Sequence, residues 1–201
     1  GSTGDTNGFM DVFLFYRDTR AVERVSVSSD GGQANGPSQR ERFLPSVDRA
    51  CTCVAFSSDA TNLVPDDTNG VTDVFVRDLV SGVTERVSVG IGGEEADGPS
   101  AFPRVGGDCR FVAFSSTATN LVPDDTNNQA DIFVYDRTTG ETNRVSVGPG
   151  GLEGNAMSIT PAISADGSCV AFASAASNFL AGDTNDKNDI YVACGGVAEG
   201  S

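Results

Sequence analysis

One phrase occurs four times in this chain and limits what it can fold into. Asp-Thr-Asn begins at residues 5, 67, 125 and 183, so the spacings are 62, 58 and 58 residues. Each copy is followed by a further acid, Asp11, Asp73, Asp131 and Asp189, which opens a short apolar run (DVFLF, DVFVR, DIFVY and DIYVA). A fixed period of this size marks a repeat architecture.

The rest of the unit repeats as well. An RVSV segment recurs at Arg24, Arg86 and Arg144, and a Gly-rich polar loop follows it. A segment around Pro45, Pro103 and Pro161 comes next, then a VAF run starting at Val54, Val112 and Val170. Each unit thus holds four short runs: a at the Pro, b at VAF, c at Asp-x-Phe or Asp-x-Tyr, and d at RVSV. They are rich in Val, Phe and Ser, and Gly, Asp, Asn and Pro interrupt them too often for helices. RVSV alternates with a period of two, and the b runs read as buried on both faces. Four antiparallel strands per repeat, at a period above 40, predict an all-β chain of β-propeller blades.

The Pro followed by Ser164-Ala165-Asp166-Gly167, then VAFAS, then DIYV, resembles the repeats of TolB-like propellers, relatives of WD-type blades. The resemblance runs from about Asp5 to Ala193. It implies the fold; similar blades also form the lids of prolyl-oligopeptidase-type enzymes. In the first two copies Ser46-Val47-Asp48-Arg49 and Val105-Gly106-Gly107-Asp108 replace Ser-Ala-Asp-Gly, and the long b–c loop is an elaboration on the TolB pattern.

The expected organisation is one domain over residues 1–201, with repeats at about 5–66, 67–124 and 125–182 and a partial fourth at 183–193. The Gly-Ser pairs at both ends read as cloning remnants. The chain opens on c–d and closes on a–b–c, which makes about three blades, fewer than closed rings usually hold. It is therefore read as an excerpt of a larger propeller, as half of a ring closed by two copies, or as an open array. Self-association or excerpt is preferred over a closed three-bladed monomer, since free blade edges invite pairing.

With 28 acids against 13 bases, the net charge is −15. That excludes nucleic acid and anionic membrane as partners and favours cations or basic protein surfaces. No apolar run approaches membrane-spanning length. An extracytoplasmic location, whether secreted, periplasmic or at the cell surface, suits a bacterial module of this kind. Of the five cysteines, Cys169 and Cys194 become cross-strand neighbours if Phe172 faces Tyr191, close enough for a disulfide. The others, Cys51, Cys53 and Cys109, read as small apolar thiols, and the odd count leaves at least one free.

Catalysis has few means here. The chain has no His, and it lacks a nucleophile elbow and a phosphate loop. Recurring carboxylates are usually structural, so no catalytic residue is assigned.

The repeated oxygens are the metal candidates: Asp5, Asn7 and Asp11; Asp67, Asn69 and Asp73; Asp125, Asn127 and Asp131; Asp183, Asn185 and Asp189. Their offsets resemble the later half of a calcium loop, with calcium as the candidate cofactor. The first ligand of such a loop is missing, because Thr3, Pro65, Pro123 and Ala181 stand at its place. Gly8 and Gly70 fit the turn, whereas Asn128 and Asp186 replace it elsewhere. The competing reading is an Asx-turn that launches strand c.

Strand alternation puts the b–c and d–a loops on one rim, which would be strongly acidic. Glu94, Glu95 and Asp97 are its candidate ligand-binding residues. Arg24, Arg86 and Arg144 are expected to run over the blade edge and pair with nearby acids, and Phe56, Phe114 and Phe172 to pack between blades. The resulting expectation is a non-catalytic binding and scaffold module, whose partner is a second copy, a protein or a glycan. The alternatives are a carbohydrate- or peptide-binding propeller, or the lid of a hydrolase whose catalytic domain lies elsewhere.

Overall fold

A computed structural model describes residues 4–39, 44–185 and 187–195. The strand order follows the repeat. A two-stranded ribbon, β1 (Phe13–Phe15) and β2 (Val22–Arg24), comes first. A four-stranded antiparallel sheet follows: β3 (Ser46–Val47), β4 (Cys53–Ser58), β5 (Asp73–Asp78) and β6 (Thr84–Arg86). The next sheet has the same order: β7 (Ser100–Val105), β8 (Phe111–Ser116), β9 (Asp131–Asp136) and β10 (Glu141–Arg144). A small ribbon, β11 (Val147–Gly148) and β12 (Leu152–Glu153), sits in the following loop. The last sheet has three strands, β13 (Ser158–Ile163), β14 (Cys169–Ser174) and β15 (Asp189–Cys194). The expected sequence of c–d, two full blades and a–b–c is the one observed, and the only helical turns among the described residues are two three-residue 3-10 turns in d–a loops.

The difference between the 62- and 58-residue spacings has a location. Ser100 pairs with Ser116 and Arg104 with Ala113, four residues apart on strand a, across a bulge. In the first full blade Ser38 bridges to Ser58 and Ser46 pairs with Ala55, eight residues apart. The extra residues thus fall between Ser38 and Ser46, a stretch that includes residues 40–43, outside the described residues. Strands b, c and d keep their register.

Each blade has two apolar faces, and each face meets a neighbour. Cys53, Ala55, Val74 and Val76 of the first full blade pack against Val112, Phe114 and Phe133 of the second. On the other face, Val54, Phe56 and Phe75 pack against Val12 and Val25 of the opening ribbon. Ala113, Ile132 and Val134 meet Val170 and Phe172 of the last sheet. The b-strand Phe residues therefore lie between blades, as expected. Each stacks on the aromatic of strand c, with centroids 5.9 Å apart for Phe56–Phe75 and 6.0 Å apart for Phe114–Phe133 and Phe172–Tyr191.

The two central b strands, β4 and β8, are buried at every residue. The third, β14, alternates between buried and half-buried, because no further blade among the described residues covers its outer face. Propensity for burial on both faces is present in all three sequences; the neighbour decides whether it is used.

Two disulfides add covalent ties. Cys169 pairs with Cys194 across β14 and β15, where Phe172 faces Tyr191. Cys53 bonds Cys109, which links the start of one b strand to the a–b turn of the next blade over a Cα–Cα distance of 6.2 Å. That second bond was not expected from the sequence, which aligns Cys109 with Cys51, left as an exposed free thiol. Because the bond closes a sequence separation of 56 residues, Cys109→Ser should cost roughly 2–4 kcal/mol of unfolding free energy. Denaturant melts in oxidising buffer check this; equal midpoints for the two proteins would contradict it.

Candidate functional site

The repeated acids meet at the rim, where strand c begins. In each of the first three copies the Asn of Asp-Thr-Asn performs three bonds. Its Oδ1 accepts from the amide two residues on, at Phe9, Val71 and Gln129. Its Nδ2 donates to the strand-c carboxylate, Asp11, Asp73 or Asp131, at 2.8–2.9 Å. The same Nδ2 reaches a d–a loop carbonyl at Ala34, Ala96 or Gly154, at 3.0–3.1 Å. The Asx-turn is therefore present, and it is also a staple between two loops.

The second oxygen of each strand-c carboxylate accepts from a Ser hydroxyl of strand d. The Oγ–Oδ1 distances are 2.6 Å for Ser26–Asp11 and 2.5 Å for both Ser88–Asp73 and Ser146–Asp131. The same hydroxyls accept from the amides of Val12, Val74 and Ile132.

The guanidinium lies at the centre. Arg86 Nη1 is 3.2 Å from Asp67, 3.5 Å from Asp73 and 2.8 Å from Glu95. Arg144 repeats this with Asp125 at 3.2 Å, Asp131 at 3.8 Å and Glu153 at 2.6 Å. Arg24 pairs with Asp5 at 3.4 Å and Asp11 at 3.3 Å. The three Arg side chains are 7–9% exposed. They pair with acids as expected, but they point into the blade rather than over its edge. Burial needs the pairing, since an uncompensated charge there costs several kcal/mol.

These contacts decide how the metal candidates are used. In copies one to three the residues do not fit a calcium shell, because a guanidinium already stands among their carboxylates and the Asn amide presents Nδ2–H toward the strand-c acid. Among the described residues, no group of three or more His, Cys, Asp or Glu is arranged to hold a metal ion. In the fourth copy Asn185 Oδ1 accepts from the amide of Lys187, so the turn forms, while Asp183 and Asp189 remain half-exposed. Asp186, at the turn position, lies outside the described residues.

The ligand-binding candidates separate in the same way. Glu95 accepts from the amide and hydroxyl of Thr68, at 2.8 and 2.6 Å, besides Arg86. Glu153 does the same for Thr126, and Gln33 stands at the matching place opposite Thr6. Asp97 accepts from the amide and hydroxyl of Thr119 in the next blade's b–c loop. Glu95 and Asp97 thus tie loops together, and Glu94 is exposed. Contacts between b–c and d–a loops place both on one rim, with Asp66, Glu94 and Asp124 facing solvent.

Sequence reading expected the Arg residues to pair with acids but missed that the pairing is buried, and it missed the Ser role, although a signal existed. Arg24, Arg86 and Arg144 each follow their Asp-Thr-Asn by 19 residues, and Gln33, Glu95 and Glu153 follow it by 28. A cation repeating in step with the acids is a pairing code.

Three carboxylates around one guanidinium carry excess negative charge. Burial, with help from Asp73 and Glu95 and against the pull of Arg86, pushes the Asp67 carboxyl up to about 6. Burial likewise raises Asp125 to about 6, opposed by Arg144 and aided by Asp131 and Glu153. Hydrogen bonds from Thr68 hold Glu95 down at about 2. A raised folded pKa gives stability that is present below the unfolded value and lost as pH rises through the folded one. Asp67→Asn should therefore gain on the parent between pH 4.5 and 7.5, by on the order of 1–2 kcal/mol after allowing for solvent screening. Chemical denaturation across that range tests this; parallel stability profiles would contradict it.

With this geometry in view, comparisons identify the fold. No protein-family model matches the chain, and no curated protein matches it. Among solved structures, TolB from Acinetobacter baumannii superposes with a TM-score of 0.52 at 17% identity, over 90% of this chain and 34% of that one. The tricorn protease matches at a TM-score of 0.46 and 16% identity, over 82% of this chain and 13% of that one. The β-propeller domain of the Trilobed protease from Pyrococcus furiosus matches at 0.42 and 13%, over 69% and 34%. The chain spans about a third of the length of the TolB structure. Its blades have the β-propeller fold seen in that TolB structure.

Proposed function

We propose that the chain is a non-catalytic β-propeller binding and scaffold module that associates with copies of itself through the two open ends of its blade stack. The observation that carries this is a pair of unsatisfied, mutually complementary faces. Val74 and Val76 are fully buried where a following blade covers them. Their counterparts on the last sheet, Ile190 and Val192, are 72% and 63% exposed. At the other end, Phe75 is fully buried against the preceding ribbon, whereas its counterpart Phe13 is 41% exposed. Inside the chain these two kinds of face meet and form the interblade cores. Contiguous apolar surface of this sort marks an interaction site. A head-to-tail contact between copies would bury each end against the partner it already fits, and closure into a ring would remove both ends.

The rim supplies the binding role. Asp66, Glu94 and Asp124 are exposed there, on loops fixed by the Arg clusters. A basic protein surface is the matching partner, and long-range attraction would steer it to this end. The absence of His from the sequence, and the engagement of the recurring carboxylates in structural bonds, support a non-catalytic reading. Two disulfides suit an oxidising, extracytoplasmic setting.

Size-exclusion chromatography with light scattering tests the assembly. The expected mass is a multiple of 20.7 kDa that falls with dilution, and Val192→Asp should return the protein to one copy. A strictly monomeric parent at high concentration would refute the assembly.

A further inference from the structure

Strand d of each full blade meets the d–a loop of the blade before it, and the two meetings differ at one residue. In both, a Thr hydroxyl on strand d donates to a loop carbonyl: Thr84 to Val27 at 2.6 Å and Thr142 to Val89 at 2.9 Å. Val145 donates to Ile132, and hydrogen-bonded pairs alternate along an antiparallel ladder. Thr142, opposite Tyr135, therefore turns its amide and carbonyl away from β9, toward the outer edge of the sheet. Thr84, opposite Arg77, does the same on β6.

On β6 those two groups are engaged. Ser29 Oγ accepts from the Thr84 amide at 2.9 Å and donates to the Thr84 carbonyl at 3.3 Å. One hydroxyl thus serves both. On β10 the place of Ser29, two residues after the loop carbonyl, is taken by Ile91, which has no hydroxyl. No bond to the Thr142 amide or carbonyl is found among the described residues. A groove of about 410 Å³ opens there, lined by Ile91, Leu121, Pro123 and Thr142 among others. The matching groove of the preceding pair, lined by Ser29, Leu63 and Pro65, does not reach Thr84.

The groove between β6 and β10 thus presents an open donor and an open acceptor beside an apolar wall, and Ile91 is 60% exposed. Glu141 is part of the lining and Asp124 is exposed next to Pro123, which disfavours anions. Glu141 and Asn143 turn their backbone groups toward β9, so Thr142 is the one residue of β10 with outward groups in the groove. An added peptide strand would find a single residue to pair with. Neighbouring hydroxyls on a small ring match the pair, as the Ser29 hydroxyl does one blade earlier.

We infer that this groove binds a neutral saccharide. Its ring hydroxyls exchange bonds with the Thr142 amide and carbonyl, and its C–H face lies against Ile91 and Pro123. The site lies between two complete blades, away from the ends of the stack, so it does not depend on self-association.

Amide spectra of the isotope-labelled full chain, titrated with glucose, galactose, mannose and fucose to on the order of 50 mM, test this. At least one sugar should shift the Thr142 amide saturably, with a Kd of roughly 1–10 mM, as befits a few hydroxyl bonds in an open groove. Ile91→Ser supplies the hydroxyl that Ser29 supplies to Thr84, and it should weaken binding at least about tenfold. Ile91→Ala leaves Thr142 open and should weaken binding only about threefold, through lost apolar contact. Because Ile91 is exposed, neither change should unfold the chain. The absence of a saturable shift at Thr142 with all four sugars overturns the proposal, as does an equal loss in the Ala and Ser variants or undiminished binding by Ile91→Ser. Galacturonate binding as tightly as galactose would overturn the neutral class. A shift at Thr142 caused by a blocked Thr-Val-Thr-Val peptide and by none of the sugars would assign the groove to an added strand and likewise overturn it.

Discussion

A carboxylate placed at the buried start of a strand must be given a counter-charge and bonds for both oxygens, and this requirement shapes the rim of every blade. Asp73 and Asp131 are fully buried. Removing such a group from water costs several kcal/mol unless it is paired. The chain meets that cost with one Arg and one Ser from strand d and one Asn from the preceding loop. Three segments far apart in the sequence are thereby held at one point. Glu95 and Glu153 then lock the following d–a loop onto the same guanidinium. The acids that look like a metal site by spacing are thus the structure's own clamps, with a side-chain cation in place of an ion.

Around these clamps, blade stacking provides the apolar burial. Each sheet is too thin to hold a core of its own, so it shares one with each neighbour. The first and last sheets show what this sharing supplies. Strand β15 has the same apolar pattern as β5 and β9, yet its alternate residues lie open, with no described residue covering them. The end sheets are therefore places where the repeat's own rules remain unfulfilled, and the proposed self-association follows from that.

Much of this was legible in the residues. The period, the four strands per unit, the incomplete ends and the interblade Phe residues all follow from local patterns, because strand alternation and turn residues act over a few positions. The Cys169–Cys194 pair could be found because an antiparallel register fixes which residues face each other. The Cys53–Cys109 bond could not, since it joins two blades and depends on how one turn sits against the next sheet. The Arg clusters fell between these cases. Their spacing was visible, but reading Arg as a surface residue led its side chain outward, when the buried Asp beside it draws it in. The extra residues of the first repeat were visible only as a number, 62 against 58, until strand pairing located them between Ser38 and Ser46.

Arg86 and Asp73 act together rather than as separate rim charges. A double-mutant cycle on unfolding free energy, with Arg86→Met, Asp73→Asn and the pair, measures this directly. The expected interaction energy is about 1–3 kcal/mol, because each single change leaves the other group buried without its partner. Additive effects within about 0.5 kcal/mol would show that the two residues are independent and that the clamp does not act as a unit.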